Sequence, residues 1–345
     1  MAIAYVVGLS IGVHLLNLLC VPAIALVVYY RKVKVTHWWT TFPVLVLSLA
    51  IIVFVLYGIV PGSMRLAGYL ELLMVNQLGF AYNTGVILYV VVTACASVWA
   101  VYEFYRNNSQ LRMKLSFLAV VVFSGVLMIS GENLIIPAVL LAVVAIYLFL
   151  YCKVVPRRVL GNIVLYITMI LVGFSCYAVV LIRAADKPMM NVNIPDNVFS
   201  LTGYVERDQY GTSPLFYGPA YTADASVMQR DKDGKPVYKI LKHRYAKKVK
   251  SSPEEPDAYV ETAPQKINVY APEMYMFLPR IYDPASAKSY SSWVGGIEEK
   301  EITAHVQHGD SIVEVKAKMP SYWDNVKYFV IYQSAQMYWR YLMHN

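Results

Sequence analysis

Long apolar segments within residues 1–183 restrict most strongly what this chain can fold into. A helix that crosses a bilayer needs about 20 mostly apolar residues. Hydrophobic residues make up 58% of the chain and charged residues 15%, whereas soluble domains are roughly 45–50% apolar and about 25% charged. The sequence therefore predicts a polytopic α-helical membrane protein of about six spans, with a transmembrane domain over residues 1–183. The predicted spans cover roughly residues 3–30, 42–60, 80–102, 115–131, 134–152 and 159–183.

The net charge of +8 lies entirely in this apolar half. Residues 1–183 hold 11 Lys and Arg against 3 Asp and Glu, while residues 184–345 hold 19 of each. The excess therefore does not indicate a nucleic-acid partner. Basic residues mark the cytoplasmic ends of spans, so the N-terminus and everything after residue 184 are predicted to be extracytoplasmic, on the outer face of the inner membrane. The residues behind this prediction are Arg31, Lys32, Lys34, Arg106, Arg112, Lys114, Lys153, Arg157 and Arg158.

Polar residues inside a membrane span are costly and mark candidate functional positions. His14 and Asn17 are three residues apart on one helical face, one turn before Pro22. They are predicted either to line a pocket or contact a lipid phosphate, or to form an interhelical hydrogen bond beside a proline kink. The second interpretation is favoured. No chain of Asp, Glu and His runs through the predicted spans, which disfavours a proton-coupled transporter.

The connection over residues 64–85 is amphipathic and interrupted by glycine. This pattern indicates a helix that lies on the outer leaflet of the membrane. Glu71, Asn76 and Gln77 are then expected to face water or a cavity.

From residue 184 the composition changes to proline, asparagine, tyrosine and mixed charge, which predicts a small mixed α+β extracytoplasmic domain over residues 184–345. Its last helix, over residues 325–345, is rich in Tyr and Trp and is predicted to enter or lie on the membrane interface. All four cysteines precede residue 183. No disulfide framework and no thiol metal site is therefore expected in this domain. No metal-spaced set of His and Cys is present in the sequence, and no cofactor is expected. Predicted strands cover residues 236–243, 266–271, 274–282 and 311–318, with turn signals between them.

Four blocks of the sequence resemble successive segments of one bacterial envelope family, in that family's order. The family is the domain-of-unknown-function family 2723, also classed as glycosyltransferase family 117, which is similar to protein O-mannosyltransferases. The resemblance implies a type-C glycosyltransferase fold and transfer of a sugar from a polyprenyl-phosphate carrier to a protein or glycan. The blocks are "GLSIGVHLLNLLCVPA" (8–23), "NVFSLTGYVERDQYGTSPLFYG" (197–218), "FLPRIYD" (277–283) and "MPSYWDNVKYFVIYQSAQMYWRYLMHN" (319–345).

The resemblance also implies further spans upstream of the first block, with an acidic catalytic residue on an outer loop there, and more sequence after the last block. The chain is therefore expected to be an internal fragment that lacks that catalytic loop and is inactive by itself.

Within this chain the resemblance directs attention to the charged run "ERDQY" and to the last helix. Glu206 and Asp208 are the candidates for acid–base chemistry, and the alternative is an ion pair with Arg207 or a helix end. A guanidinium can bind a phosphate through two parallel hydrogen bonds. The expected contacts for the donor phosphate or the acceptor are Arg207, Gln209, Tyr210 and Arg340.

A second hypothesis is a non-catalytic, membrane-anchored envelope protein that serves assembly or interaction. It fits the lack of an acid pair in the sequence and predicts no dependence on a lipid-linked sugar. The expected partners are membrane lipid in both cases, and a polyprenyl-phosphate sugar with a protein acceptor only for the enzyme.

Overall fold

The computed structural model divides into two compact units. The first consists of Met1–Gln209 and Arg244–Ala263, and the second of Tyr210–His243 and Pro264–Asn345. Lys34 and Lys153, which contribute to the charge pattern, lie outside the described residues. The residues described are 1–33, 37–106, 109–128, 133–152, 154, 156–191, 193–211 and 213–344.

The first unit is mainly helical, and its apolar helices are compatible with a multi-pass membrane protein. Ala2–Val13 and Ile135–Tyr151 are short apolar helices. In the described part of the chain, four longer stretches could cross a membrane, namely Leu15–Lys32, Trp38–Gln77, Thr84–Arg106 and Arg157–Ala185. The prediction of about six spans is therefore not confirmed. The helices are α1 (Ala2–Val13), α2 (Val21–Lys32), α3 (Trp38–Val53), α4 (Val60–Leu72), α5 (Thr84–Arg106), α6 (Gln110–Phe123), α7 (Ile135–Ile146), α8 (Arg157–Phe174), α9 (Tyr177–Ala185) and α10 (Val198–Val205).

The predicted span over residues 3–30 is interrupted at His14. This residue has extended backbone angles (φ −158°, ψ 125°), and its Nδ1 accepts a 3.2 Å hydrogen bond from the Leu16 N–H. The side chain thereby caps a 3₁₀ helix over Leu15–Cys20. Helix α2 then starts with Pro22 in its first turn, where the missing proline N–H leaves no hydrogen bond unmade. One apolar run becomes two helices.

The longest helix runs from Trp38 to Gln77. Two π-helical segments lie within it. Phe54–Ile59 connects α3 to α4, and Leu73–Gln77 follows α4. A helix of 40 residues is about 60 Å long, and the hydrocarbon core of a bilayer is about 30 Å thick. Much of this helix therefore extends beyond the hydrocarbon core. The separate interfacial helix predicted to start at residue 64 is instead the continuation of α3.

Helices α1 and α8 cross where both carry glycine. A Cβ atom added to Gly8 would lie 2.3 Å from the Ile170 carbonyl oxygen, and one added to Gly173 would lie 2.4 Å from the Tyr5 carbonyl oxygen. Both distances are well below van der Waals contact, so the two backbones can approach this closely only at glycine. Small residues commonly allow such close pairing of membrane helices.

The second unit combines short strands with helices around two small cores. One core contains Tyr221, Ile281 and Tyr290, and the other contains Met274 and Val306. A helix runs from α12 (Tyr322–Tyr328) through a π-helical segment (Phe329–Trp339) to α13 (Arg340–His344), and α11 (Ala287–Val294) precedes it. The strands pair β1 with β4, β2 with β3 and β5 with β6, and they are β1 (Tyr217–Pro219), β2 (Tyr238–Lys247), β3 (Tyr259–Asn268), β4 (Tyr275–Phe277), β5 (Glu299–His308) and β6 (Ser311–Pro320).

Strand β5 lies where no strand is predicted from the sequence. It pairs antiparallel with β6, and the two are joined by a two-residue turn whose Gly309 has φ +58°. Its inward positions alternate, with Ala304 and Val306 buried, as expected of a strand with one solvent face. The other predicted strands overlap β2, β3, β4 and β6 with shifted ends.

The close crossing of α1 and α8 predicts opposite effects for two glycine-to-alanine changes in the same helix. Gly173→Ala should destabilise the protein by about 1–3 kcal/mol, because the added methyl overpacks the crossing. Gly161→Ala is the matched control, since its Cβ would meet the Phe104 ring at 3.4 Å, an ordinary contact. Alanine there should be neutral or stabilising by up to about 1 kcal/mol. Thermal unfolding in detergent measures both, and an equal loss for the two variants would contradict the crossing.

Candidate functional site

The run "ERDQY" follows directly on helix α10. Asn197 caps the start of that helix, because its Oδ1 accepts hydrogen bonds from the Phe199 and Ser200 N–H groups at 2.9 and 3.0 Å. The helix ends at Glu206. Arg207 then adopts a left-handed backbone angle (φ +57°), which is uncommon for a residue other than glycine. This reversal turns successive side chains of the run toward different neighbours.

The two carboxylates of the run each pair with an arginine from another segment. Glu206 Oε1 lies 3.6 Å from Arg65 Nη2, and Asp208 Oδ2 lies 3.8 Å from Arg244 Nη2. Both carboxylate side chains are mostly buried. Glu206 is also the C-cap residue of α10. The alternatives of pairing with Arg207 or of a helix end therefore stand beside these two ion pairs with residues of other segments.

Arg207 is exposed. Its charge is close enough to act on the Tyr177 hydroxyl, which itself donates a 3.2 Å hydrogen bond to the Ile11 carbonyl oxygen. Arg207 therefore lies near the meeting point of α1 and α9. An exposed cation beside the ends of membrane helices is chemically suited to an anionic ligand.

The other sequence-predicted residues are placed less closely together. Asn17 Nδ2 donates a 3.2 Å hydrogen bond to the Ser10 carbonyl oxygen in α1, so the described hydrogen bonds of Asn17 and His14 join neighbouring turns of the chain. Gln209 Oε1 accepts a 2.7 Å bond from Asn193 Nδ2. The remaining two, Tyr210 and Arg340, are exposed residues of the second unit.

A buried carboxylate that sequence reasoning misassigned organises the same unit. Glu71 is fully buried, whereas the sequence predicts that it faces water or a cavity. Its Oε1 accepts hydrogen bonds from the Asn83 N–H at 2.5 Å and the Tyr259 hydroxyl at 3.0 Å. Its Oε2 accepts from the Gly85 and Val86 N–H groups at 2.9 and 3.2 Å. Glu71 thus caps the start of α5 and binds Tyr259 of the β2–β3 hairpin. We call residues 244–263 of this hairpin the hairpin tip.

Gly85 makes this cap possible. A Cβ atom at Gly85 would lie 2.4 Å from the backbone of Glu71. The absence of a side chain lets the first turn of α5 come within hydrogen-bond distance of the carboxylate. A carboxylate at a helix N-terminus also benefits from the helix dipole.

Two further side chains hold the hairpin tip through its backbone. Asn76 accepts a hydrogen bond from the Tyr259 N–H at 2.8 Å and donates one to the Tyr259 carbonyl oxygen at 2.9 Å. The Tyr82 hydroxyl donates to the Ala258 carbonyl oxygen at 2.8 Å, and the Tyr82 N–H donates to Asp257 Oδ2 at 3.0 Å. Asn76 is exposed, in keeping with the prediction that it faces water or a cavity.

Two basic residues of the hairpin tip form ion pairs with acidic residues that lie before and after α10. Arg244 pairs with Asp208, and Lys247 Nζ lies 2.7 Å from Asp196 Oδ2. The Phe199 ring packs against the tip between these ion pairs, with ring centroids 5.0 Å from Tyr245 and from Tyr259. The Glu71 network therefore positions the partners of the "ERDQY" run.

Electrostatics at the tip follow from these contacts. Burial, and then the charge of Glu71, raise the pKa of the Tyr259 hydroxyl, which keeps it a hydrogen-bond donor. The hydrogen bond from Lys250 is the main cause of the lowered pKa of Asp257, and the Tyr82 N–H lowers that pKa further. Among the described residues, no group of three or more His, Cys, Asp or Glu is placed to hold a metal ion.

Two family models match parts of the chain. The model described as "Protein O-mannosyl-transferase TMEM260 N-terminal domain" matches residues 1–37, which include α1 and α2. The model described as "Family of unknown function (DUF8416)" matches residues 211–330. No curated protein and no solved structure matches the chain. The first match points toward a glycosyltransferase-like family, and neither match is to the family 2723 that the sequence blocks resemble.

Removing one hydroxyl should loosen the hairpin tip. Tyr259→Phe deletes a hydrogen bond to a buried carboxylate, which is worth about 1.5–3 kcal/mol. Amide hydrogen exchange over residues 257–263 should accelerate by about tenfold or more, since about 1.4 kcal/mol corresponds to a factor of ten. Tyr238→Phe, in the same hairpin but with no hydroxyl bond to a described residue, should leave these rates unchanged. Equal rates in both variants would contradict the role of Glu71.

The contacts of the hairpin tip also predict the pH range over which it stays docked. A lowered Asp257 pKa stabilises the docked tip above the usual carboxyl value of about 3.9, and this contribution is lost as pH falls through the lowered value. A raised Tyr259 pKa stabilises it below about 10, and this is lost as pH rises further. Exchange protection, corrected for intrinsic rates, should therefore be flat between these limits. Asp257→Asn should flatten the acid side, and an unchanged acid loss would exclude Asp257 as its cause.

Proposed function

We propose that this chain forms part of an integral-membrane glycosyltransferase that moves a sugar from a polyprenyl-phosphate carrier to a protein or glycan acceptor. The transfer takes place on the outer face of the cytoplasmic membrane. The observation that carries the proposal is the match of residues 1–37 to the N-terminal domain of a protein O-mannosyl-transferase. The apolar helices of the first unit support it, because a lipid-linked donor is met in a bilayer.

The two ends of α5 support the proposed orientation. Arg157, at the start of α8, donates hydrogen bonds to the Phe104 and Tyr105 carbonyl oxygens at the C-terminal end of α5. Glu71 and the hairpin tip lie at its N-terminal end. The basic end belongs in the cytoplasm by the positive-inside rule. The end with the Glu71 network, and the hairpin tip it binds, are then extracytoplasmic.

Arg207 is the proposed phosphate contact. It is exposed, while the neighbouring carboxylates pair with Arg65 and Arg244. A planar guanidinium binds phosphate oxygens bidentately. It would stabilise the charge that grows on the carrier phosphate as the bond to the sugar breaks. Gln209, Tyr210 and Arg340 are the further proposed contacts for donor or acceptor.

The proposed reaction breaks the bond between the anomeric carbon and the phosphate oxygen and forms one from that carbon to an acceptor hydroxyl oxygen. The hydroxyl proton passes to a carboxylate acting as general base, and the electron pair of the broken bond stays on the carrier phosphate. Glu206 and Asp208 are the candidates for this base. Each is also held by an arginine of another segment, Arg65 or Arg244, which favours a role in fixing the run after α10.

The second candidate function is a non-catalytic envelope protein whose spans anchor an interaction unit. Its basis is the sequence, which holds no acid pair, and the family of unknown function that matches residues 211–330 names no activity for this region. This candidate predicts that no substitution in the run 206–210 alters sugar transfer in the cell envelope.

Sugar transfer tests Arg207 directly. Proteoliposomes with the full-length gene product, labelled polyprenyl-phosphate mannose and acceptor extract should transfer label. Arg207→Ala should lower the rate by about 10²–10³-fold, as for loss of one transition-state donor. Lys239→Ala removes an exposed cation of strand β2 and should have no effect.

Two results would count against the enzyme or its site. Undiminished transfer by both Arg207→Ala and Asp208→Ala would remove the run from the site. Absence of transfer by the unmodified protein, with normal insertion into the membrane, would favour the non-catalytic function.

A further inference from the structure

The helix that closes the second unit, Tyr322–His344, is only partly packed against protein. Tyr328 and Tyr332 stack on each other with ring centroids 5.0 Å apart. Tyr328 also meets Tyr290 at 4.9 Å, and Tyr332 meets Trp293 at 4.7 Å. These contacts attach the first half of the helix to the core of the second unit. They leave the second half without comparable packing.

The second half of this helix exposes several large apolar side chains. Exposed fractions are 55% for Trp339, 64% for Tyr341, 57% for Leu342 and 78% for Met343. Ile331 and Met337, further up the helix, are exposed by 43% and 48%. A contiguous apolar surface of this kind marks an interaction site on a protein.

We propose that residues 329–343 lie in the lipid interface and anchor the second unit to the bilayer. The chain offers this partner directly, because the second unit is continuous at three points, residues 209–210, 243–244 and 263–264, with the first unit, which contains the apolar helices. A tether of this kind gives the bilayer a high effective concentration at the helix. No free energy has to be spent on capturing a separate partner from solution.

The side-chain chemistry of the segment also fits a lipid interface. Tyr338, Trp339 and Tyr341 are the residue types enriched at the level of lipid headgroups. Arg340 stands among them and is exposed. A long arginine side chain can lie along apolar surface while its guanidinium reaches phosphate. The proposal is independent of sugar transfer.

Site-directed spin labelling tests the anchor on the whole protein. Cys20, Cys95, Cys152 and Cys176 are replaced by serine, and one cysteine is introduced at a time. Leu342→Cys reports on the helix. Ile312→Cys is the control, because Ile312 is an equally exposed apolar residue, 69% against 57%, beside the β5–β6 turn of the same unit.

Collision of the label with oxygen and with a polar nickel chelate is measured in nanodiscs of phosphatidylethanolamine and phosphatidylglycerol. Oxygen should dominate at residue 342 and the nickel chelate at residue 312, a reversal of the accessibility ratio between two positions. Dominance of nickel at both would overturn the anchor. Spin–spin broadening at residue 342 would show a second copy there, and exclusion of both reagents would show protein cover, and either result would also overturn it.

Discussion

The carboxylate of Glu71 is the constraint on which the arrangement of the first unit depends. It is withdrawn completely from water, and a buried charge without hydrogen bonds would cost several kcal/mol. Three backbone N–H groups at the start of α5 and the Tyr259 hydroxyl satisfy it. No one segment supplies all four donors. The helix that carries Glu71, the start of α5 and the hairpin tip must therefore be assembled together before the carboxylate can be buried at low cost.

The contacts of this carboxylate also affect the charged run after α10, through the hairpin tip. Once the tip is held, Arg244 and Lys247 stand opposite Asp208 and Asp196. Such partly exposed ion pairs contribute little stability individually, about 0–1 kcal/mol each. Their consequence is geometric, because they hold Asp196 and Asp208, on the two sides of α10, against residues of the hairpin tip. A flexible tether would not hold its charges in fixed places.

Composition and periodicity predict the apolar helices well, because a long run of apolar residues has few other stable conformations. They do not predict where such a run breaks, and His14 shows why: its imidazole offers an alternative acceptor to one backbone N–H. Glu71 was misassigned for a related reason. Its partners lie 12 to 188 residues away in the chain, so no local pattern reports them. The alternation of Ile302, Ala304 and Val306 was visible but short, and charged neighbours on the solvent face obscured it.

The family match over residues 211–330 does not have the same boundaries as the compact units of the structure. The match begins where the second unit begins, yet it includes the hairpin tip, which belongs to the first unit. Taken alone, this region would expose the Tyr259 ring and leave the backbone of residues 257–259 without the donors and acceptors of Asn76 and Tyr82. A β-hairpin is marginally stable without such support. The matched region therefore acquires its full structure only together with the membrane helices, and a family defined by sequence similarity over it need not be an independently folding domain.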